Sequence, residues 1–426
     1  MISFRDGILR IETSSELTKS KKLRFVYEIC LYLGIVCYYI QNSTFFHYGG
    51  TFLFIAGAAI ITYDKIRSYR INKLTLAVWY LGFIILGELS ALWAYSPAIS
   101  AFKYLRMMLM ILAIFVGITQ YADTSSDVDK LLDIYLYSSL TTALIQFIGS
   151  PIEKWTAGYF GIYVGDNSST TFGYILLFAA IIAFNKAYNN RQRLWYIGTV
   201  IFLIGCVLSS SRKAVAVSAF GILCIILFSV KRKYHLLHFL IAVASAALVL
   251  ELLLTNEYLY RIIGVRIANL IGYVKGSSTS TDYNSLYLRD FYISFAKELF
   301  KDHPILGNGF VSFHSLLADA TDMGTGYAHN NYWEILADLG LAGLISYFWL
   351  YAYCLYRLIV RFIKGTFKNI HLLAAVMLIS ELILEWGIVT LYLPYCQIIV
   401  ALIYLCSCVS NGSMKKYYYS EQNRGE

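Results

Sequence analysis

The side chains best suited to chemistry are arginines and histidines gathered in one polar stretch, residues 256–331. This stretch is the longest polar interruption between apolar segments, and its arginines and histidines are Arg261, Arg266, Arg289, His303, His314 and His329. Arginine keeps its charge and grips anions with a planar fork of N–H donors, whereas histidine exchanges protons near neutral pH. We therefore expect this stretch to form the reactive face of the protein, and the apolar segments to hold it in place.

The composition indicates that those apolar segments lie in a membrane. Hydrophobic residues make up 58% of the chain and charged residues 14%, whereas soluble domains carry about 25% charged residues. A soluble fold of this size could not bury so much apolar surface, so the predicted fold class is an all-α, polytopic membrane protein surrounded by lipid. Basic residues in short loops explain the formal net charge of +9, so we expect no nucleic-acid partner.

Crossing a bilayer takes about 20 apolar residues, and the sequence holds about twelve such runs, which predicts about 12 transmembrane helices. The run at residues 50–64 is short. The run at 332–362 is too long for one perpendicular span, and Gly340 with Gly343 is expected to divide it into a surface helix and a crossing helix. The full set of runs is 24–41, 50–64, 74–94, 102–121, 130–149, 171–187, 193–210, 213–230, 235–255, 332–362, 371–389 and 392–410.

Loop charges predict the orientation of the chain. The short loops of one set carry almost no basic residues, whereas basic residues cluster in the alternate set, at residues 65–73, 186–193, 231–233 and 357–368. By the positive-inside rule, both termini are cytoplasmic and the loop at 256–331, which is expected to contain short helices, lies outside. One loop of the cytoplasmic set, residues 123–130, is acidic and does not fit this pattern.

The predicted domain organisation follows from these spans. It comprises a cytoplasmic segment (1–23), a transmembrane bundle of about nine spans (24–255), an extracytoplasmic catalytic loop (256–331), C-terminal spans (332–410) and a cytoplasmic tail (411–426). Within the loop, apolar residues at helical spacing predict an amphipathic helix over residues 284–302.

The cysteines are predicted to be small buried hydrophobes rather than disulfide partners or metal ligands, because they fall in apolar runs and form no CxxC pair. They are Cys30, Cys37, Cys206, Cys224, Cys354, Cys396, Cys406 and Cys408.

Three cations lie close to, or inside, predicted spans. Arg212 and Lys213 follow three serines in a turn between two apolar runs, and Arg106 lies at the start of the fourth run. A cation at the centre of a transmembrane helix costs about 2.5–3.5 kcal/mol, and less near the interface. Such side chains either face a polar cavity with a partner or extend to the lipid headgroups, and the sequence leaves both interpretations open.

Three local patterns lie in the C-terminal half of the chain. The first is SSSRKA at residues 209–214, a serine-arginine turn that opens an apolar helix. The second is Arg289, followed by HPILGNG at 303–309. The third is HN at 329–330, then nine residues, then GLAG at 340–343.

Together these patterns resemble the O-antigen ligase and polysaccharide polymerase superfamily of membrane glycosyltransferases. The third matches the family pattern H-[N/S/Q]-x9-G-x-x-G, and an Arg-x3-Leu pattern of the family begins at Arg266. The resemblance covers residues 195–362, whereas the N-terminal half carries no comparable motif.

The resemblance implies a particular reaction. A glycan carried on undecaprenyl diphosphate is transferred, through its reducing-end sugar, to a hydroxyl of a growing acceptor glycan at the outer face of the cytoplasmic membrane, as in capsule, exopolysaccharide or O-antigen synthesis. The lipid diphosphate is released. No cofactor and no metal are implied, and a chain-length regulator and a flippase are implied as further partners.

The resemblance also implies which residues bind the donor. Charge develops on the departing diphosphate, so preorganised cations there would stabilise the transition state. Arg212 and Arg289 are the first candidates for this clamp, because a guanidinium matches phosphate oxygens and stays charged. Arg266 and Lys213 come second, and Arg106 completes the candidate substrate-binding cations.

His329 is the candidate base toward the acceptor hydroxyl, or else a hydrogen-bond donor to the diphosphate, and the sequence leaves both roles open. Asn330, a candidate substrate contact, either orients His329 or caps the following helix, and capping is the favoured prediction. His303 and His314 are expected on the surface. Glu334, one helical turn on from Asn330, is a candidate partner, but the favoured prediction is that it faces solvent.

Polymerase and ligase activities share these motifs. A polymerase extends the chain of repeat units, whereas a ligase moves a finished chain to a different acceptor; we favour the polymerase. A lipid-linked oligosaccharide transporter is the remaining alternative, but the sequence shows none of the paired halves typical of transporters, and its large one-sided loop is unlike that design.

Overall fold

The computed structural model describes residues 2–5, 8–11, 14–40, 44–97, 104–150, 169–209, 211–229, 251, 255–256, 260, 281–321 and 326–409. An antiparallel hairpin of β1 (Ile2–Arg5) and β2 (Ile8–Ile11) stands near the N-terminus. Apart from this hairpin, the regular elements of the described chain are helices, so the predicted helical class is confirmed for these residues.

The α-helices range in length from 9 residues, at Ser312–Ala320, to 33 residues, at Asn331–Ile363. They are α1 (Ser14–Tyr39), α2 (Thr44–Arg67), α3 (Thr75–Leu89), α4 (Leu105–Tyr121), α5 (Ser125–Gly149), α6 (Ser169–Tyr188), α7 (Trp195–Leu208), α8 (Arg212–Ser229), α9 (Thr281–Asp302), α10 (Ser312–Ala320), α11 (Asn331–Ile363), α12 (Asn369–Glu385) and α13 (Pro394–Cys408). A 3-10 turn, Ser90–Leu92, follows α3 directly.

Within the described residues, 6 helices are long and apolar enough to cross a membrane, and they comprise α2, α3, α5, α6, α8 and α11. The shorter apolar helices α4, α7 and α13 accompany them. The short run at 50–64 lies inside α2, whose 24 residues make it a full-length span. The predicted run at 235–255 lies largely outside the described residues, so the total of twelve spans stays a prediction.

The helices pack around α6 and α13, which are the most enclosed elements. The side chains of α6 from Leu176 to Ala183 are fully buried, and nearly every residue of α13 is buried as well. In a helix bundle of this kind an apolar surface on all sides marks an interior position. The remaining apolar helices surround these two, with lipid-facing residues such as Ile345 and Phe362 left exposed.

All eight cysteines are free thiols and lie buried or half-buried in these helices. Five of them are buried, as predicted, whereas Cys37, Cys224 and Cys408 are half-buried.

A break at Gly340 divides the long helix α11, as the sequence predicted. Gly340 has φ 60° and ψ −156°, outside the helical region, whereas Gly343 stays within the helix. The glycine-rich segment after α9 docks against this break. A methyl group on Gly307 would lie 2.3 Å from the Asp338 carbonyl oxygen, and one on Gly340 would lie 2.5 Å from the Ile305 carbonyl group. Both positions accept only glycine, since each also has positive φ.

Hydrogen bonds hold the docked segment in place. Leu341 N donates to the Pro304 carbonyl at 2.9 Å, so a backbone donor freed by the break finds a partner. The Asp338 carboxylate accepts the backbone N–H groups of Val311 and Phe313, each at 2.8 Å, at the start of α10. The HPILGNG motif at 303–309 and the GLAG motif at 340–343 therefore pack against each other, which fixes the segment between α9 and α10 on α11.

Ion pairs join α1, α2 and the α4–α5 connection. Arg24 contacts Asp123 at 3.1 Å and Asp127 at 2.6 Å, and Lys65, which is 3% exposed, also pairs with Asp123. Lys186 of α6 contacts Asp129 at 2.8 Å. We call Arg24, Lys65, Lys186, Asp123, Asp127, Asp129 and Asp133 the paired-charge cluster.

This cluster explains why the loop at residues 123–130 departed from the charge pattern of its neighbours. Its carboxylates bind cations from α1, α2 and α6, and the second contact of Lys186 is with Asp133 at 2.7 Å. Thr124 and Asp127 also form a capping box at the start of α5. The acidic residues therefore satisfy buried cations and begin a helix, so their sign carries no information about orientation.

Candidate functional site

The turn between α7 and α8 places the first two candidate cations, Arg212 and Lys213. Ser211 Oγ accepts the backbone N–H of Ala214 at 3.3 Å, which is the geometry of a helix N-cap. Ser209 Oγ donates to a carbonyl in the last turn of α7 at 2.7 Å. The serine run thus closes one helix and opens the next, and both cations stand in the first turn of α8.

That position is electrostatically unfavourable for a cation. The N-terminus of a helix carries partial positive charge, and a side-chain charge there is worth about 0.3–1 kcal/mol, stabilising for anions and destabilising for cations. Two adjacent cations at the start of α8 therefore weaken the helix. Their presence is better explained by an anion that binds there than by stability.

Helix α9 supplies Arg289, which is half-buried. The amphipathic helix predicted for the polar stretch is confirmed, and its apolar face packs on α10 and on the first turn of α11. The ring centroids of Phe295 and Phe313 are 5.7 Å apart, and the Lys297 ammonium lies 5.2 Å from the Trp333 ring centroid. This packing fixes α9, and with it Arg289, against the start of α11.

His329 lies in the connection that leads into α11 and has an unusual backbone conformation. Its φ is 52°, in the left-handed region that non-glycine residues adopt rarely and at a cost of about 1–3 kcal/mol. Such a conformation persists only where neighbouring contacts impose it.

Contacts on both sides of His329 impose that conformation. Before it, Ala328 N donates to Glu334 Oε2 at 2.5 Å. After it, the Asn330 side chain accepts the Trp333 N–H at 3.2 Å and caps α11, which confirms the predicted capping. Asn331 then reaches into the bundle, where its side-chain amide donates to Glu385.

The electrostatics of His329 show which cations surround it. Burial, Arg289 and Lys213, in that order, lower the pKa of His329 to about 4. Arg289 and Arg212 in turn act on the charge of Lys213. Side chains from three distant stretches therefore converge, and we call Arg212, Lys213, Arg289 and His329 the cation cluster.

Tyrosine rings border the cation cluster. The Tyr327 ring centroid is 4.0 Å from that of His329, and the Tyr292 ring stacks on His329 with a centroid distance of 6.0 Å. Burial raises the pKa of the Tyr327 phenol, and nearby Arg289 opposes that rise. Tyr327 keeps 36% of its surface exposed, so one aromatic ring beside the cluster is open to a ligand.

The other candidate cations are placed differently. Arg106 is exposed at the start of α4, where its guanidinium lies 2.7 Å from His47 Nε2 and 4.9 Å from the Tyr48 ring centroid. These contacts are with α2 rather than with the cation cluster. Arg266 lies outside the described residues, so its predicted role stays untested. Asn330 is fully buried in its capping position, and its predicted contact with substrate stays a prediction.

Two predictions about polar side chains were wrong. His314 is buried, with 7% of its surface exposed, and its Nε2 lies 3.4 Å from Glu334 Oε1. Glu334, expected to face solvent, is 1% exposed. Both residues are enclosed because α10 folds back over the first turn of α11. His303 is exposed, as expected.

A buried polar network behind His329 was missed from the sequence. Thr390 N donates to Asn331 Oδ1 at 3.2 Å, and Glu385 accepts from Thr390 Oγ1 and from Tyr351 OH, each at 2.8 Å. One turn earlier in α12, Glu381 accepts from Tyr174. The signal available was a pair of glutamates four residues apart in an apolar run, because carboxylates enclosed in a membrane helix need polar partners.

The arrangement of charges indicates which chemistry the site can perform. The cluster presents guanidinium and ammonium groups beside an imidazole whose low pKa keeps it neutral near pH 7. Such a site can bind an anion with several oxygens and accept a proton next to it. Among the described residues, no group of three or more His, Cys, Asp or Glu side chains is arranged to hold a metal ion.

Residues 197–348 match the family model described as O-antigen ligase. This match supports the resemblance of that part of the chain to the O-antigen ligase and polymerase superfamily. The match runs from α7 to the middle of α11 and includes every member of the cation cluster. No curated protein matches the chain.

The match, together with the apolar helices, supports a multi-pass membrane protein, and the matching family implies a lipid-linked glycan and an acceptor as substrates. The three sequence patterns that resembled the family correspond to three parts of one site. SSSRKA caps α8, HPILGNG docks on the α11 break, and the HN dipeptide forms the capped entry to α11.

Proposed function

We propose that this protein polymerises oligosaccharide repeat units carried on undecaprenyl diphosphate, at the outer face of the cytoplasmic membrane. The observation that carries the proposal is the convergence of Lys213 and Arg289 on a neutral His329, with Arg212 beside Lys213. Three permanent or near-permanent cations match a diphosphate leaving group, and the imidazole supplies a base within the same site.

In the proposed reaction, the acceptor hydroxyl oxygen forms a bond to the anomeric carbon of the donor. The bond between that carbon and the diphosphate oxygen breaks, and its electron pair stays on the diphosphate. The hydroxyl proton passes to a ring nitrogen of His329. Arg212, Lys213 and Arg289 stabilise the negative charge that grows on the diphosphate, an effect that typically contributes about 10²–10³ in rate for each preorganised donor.

The low pKa of His329 supports its role as base over its role as a charged diphosphate ligand. Arg289 and Lys213 disfavour the imidazolium, so His329 is available to accept a proton at neutral pH. A bound diphosphate would offset those like charges and raise the pKa of His329. The base would therefore become stronger when the donor is in place, which links proton transfer to substrate binding.

The proposed orientation places the cation cluster outside and the paired-charge cluster inside. Basic loops on one side support it under the positive-inside rule. The repeat-unit donor then reaches the cluster from the outer leaflet, delivered by a flippase, and a chain-length regulator is the expected partner of the finished polymer.

The test is turnover by the purified protein in liposomes, with lipid-linked repeat units isolated from a strain that lacks the gene. We expect a ladder of polymers and release of undecaprenyl diphosphate. His329→Ala should lower the rate by at least about 10²-fold, as expected for loss of a general base. The matched control is His303→Ala, because His303 is exposed and outside the cluster. Full polymer length with His329→Ala would refute the mechanism.

The description of the matching family favours a second candidate function, ligation of a finished glycan to a different acceptor. The same site would serve, because only the acceptor changes. A deletion strain separates the two: loss of a polymerase leaves single repeats on the carrier, whereas loss of a ligase leaves long unattached chains. Long lipid-linked chains in that strain would refute the polymerase.

A further inference from the structure

The turn between α12 and α13 contains a glycine that touches the end of Lys213. A methyl group built on Gly387 would lie 1.2 Å from Lys213 Nζ, 2.4 Å from Cε and 3.2 Å from Cδ. The last part of the lysine side chain therefore lies directly across the backbone at Gly387. Any side chain at this position and the Lys213 ammonium would occupy the same space.

This contact differs from the tight contacts at Gly307 and Gly340. At Gly307 and Gly340, an added methyl group would collide with backbone atoms, so the fold itself would have to shift. At Gly387, the colliding atoms are the far end of a flexible side chain, and Gly387 does not have positive φ. An alanine there would displace the ammonium rather than disrupt the turn.

Displacement would matter because the ammonium is held where like charges oppose it. Arg212 and Arg289 both act on the charge of Lys213. Like charges favour a lysine that extends away from them, and a lysine side chain has many rotamers in which to do so. The Lys213 ammonium can keep a fixed position among other cations only where a space fits it. The absence of a side chain at Gly387 provides that space.

The turn that provides this space is itself fixed to the entry of α11. Gly387 N donates to the Leu384 carbonyl at 2.8 Å, and Thr390 N donates to Asn331 Oδ1 at 3.2 Å. Asn331 follows His329 by two residues. The same turn thus determines where Lys213 lies and fixes, through Asn331, the connecting segment that contains His329.

We propose that Gly387 is a positioning residue that seats the Lys213 ammonium in the cation cluster, so that Lys213 becomes the third cationic contact of the donor diphosphate. The identity of the ligand rests on the proposed function. The seat itself rests only on the contact between Gly387 and Lys213.

The test compares Gly387→Ala with Gly82→Ala in the full-length protein in nanodiscs. A methyl group on Gly82 meets no atom within 4 Å, which makes that variant a control for a glycine-to-alanine change that displaces no side chain. The first readout is the rate at which an amine-reactive reagent labels Lys213, measured by mass spectrometry. We expect Gly387→Ala to raise this rate and Gly82→Ala to leave it unchanged.

The second readout is the affinity for undecaprenyl diphosphate. Loss of one hydrogen bond to a charged group corresponds to about tenfold or more in affinity, so Gly387→Ala and Lys213→Ala should each bind about tenfold more weakly. The double variant should bind no more weakly than Lys213→Ala alone, because Gly387 acts only through Lys213. A further loss in the double variant would overturn the proposal, as would unchanged labelling of Lys213 in Gly387→Ala.

Failure of the proposed function has a different signature. If the unmodified protein binds no undecaprenyl diphosphate while Gly387→Ala still raises the labelling rate, the seat stands and the proposed ligand is wrong. If Gly387→Ala does not fold, the double variant with Lys213→Ala should fold, since it removes the colliding atoms. A double variant that also fails to fold would show that Gly387 is needed for another reason, and would overturn the proposal.

Discussion

Two groups of buried or half-buried charge occupy this helical protein, and they are built on opposite principles. In the paired-charge cluster, Arg24, Lys65 and Lys186 each contact a carboxylate within 4 Å. In the cation cluster, Lys213 and Arg289 form no ion pair with a carboxylate of the described residues, and cations act on one another instead. Ion pairs of opposite charge join helices, whereas a group of like charges is typical of a site that binds a ligand of opposite charge.

The comparison also shows how the fold maintains each group. Opposite charges attract, so the paired-charge cluster needs little beyond short connections and a capping box. Like charges repel, and the cation cluster is held by constraints that cost stability: cations at a helix N-terminus, His329 in a left-handed conformation and Lys213 seated over Gly387. Strain and gathered like charges are typical of functional sites, and the predictions below test whether the cation cluster is one.

The largest effect is expected from Arg289→Ala. It removes a cation of the cluster and leaves the apolar face of α9 intact. Transfer should fall by about 10²–10³-fold, as expected for the loss of one preorganised charge at the leaving group. The measurement is turnover of lipid-linked repeats, with the thermal unfolding midpoint as control. A variant that keeps its rate but loses thermal stability would show that Arg289 belongs with the structural charges.

Lys65→Met tests the other side of the comparison. It keeps the aliphatic stem and removes the charge that pairs with Asp123. A buried group left without a partner costs about 1–3 kcal/mol, and Arg24 still contacts Asp123, so we expect the lower half of that range. The unfolding midpoint in detergent should fall, while turnover per folded molecule stays the same. Loss of turnover without loss of stability would contradict the structural role.

Glu385→Gln should have a moderate effect on catalysis. Glu385 accepts from Asn331, Tyr351 and Thr390, and a glutamine offers one acceptor oxygen in place of two. The hydrogen bond from Asn331, two residues after His329, should weaken, so that His329 can move. We expect kcat to fall by about tenfold, since a small displacement of a base lowers the rate strongly. Affinity for undecaprenyl diphosphate should not change. Weaker binding with an unchanged kcat would place Glu385 in the anion site instead.

The smallest effect is a shift in pH dependence. Because the pKa of His329 is lowered to about 4, its base form persists as the pH falls, and kcat/KM for the donor should stay level through about pH 6.5, where an ordinary histidine protonates. The acidic limb of kcat should lie at higher pH, since bound diphosphate raises the pKa. Lys213→Met removes a like charge and should move the limb of kcat/KM upward. A limb near 6.5 in the unmodified protein would contradict this environment.

Local patterns predicted much of this fold. Apolar runs located the 6 helices of the described residues that are long and apolar enough to span a membrane, and the amphipathic spacing after the serine-rich segment located α9. The break at Gly340 followed from the excess length of one run. These features depend on residues close together in sequence, where helical periodicity and glycine conformations have direct consequences.

The remaining features depend on contacts between distant residues. Glu334 was expected to face solvent because its position in the first turn of α11 carries no sign that α10 covers it. The seat of Lys213 at Gly387 joins α8 to the turn before α13, and no local pattern marks it. The carboxylates at 123–130 do not fit the basic charge of the other loops in their set, and their ion pairs with Arg24 and Lys65 explain the difference. In each case the partner, rather than the residue itself, determines the environment.

The position of Arg212 and Lys213 at the start of α8 has a consequence for turnover. Under the proposed function, the positive end of the helix and both side chains attract the diphosphate more strongly after the sugar has left it, because the departed carrier bears one more negative charge than the donor did. Repulsion among the cations is therefore greatest when no ligand is bound, and the spent carrier is the ligand that binds most tightly. In the proposed polymerisation we therefore expect departure of the spent lipid, rather than formation of the glycosidic bond, to limit the rate of elongation.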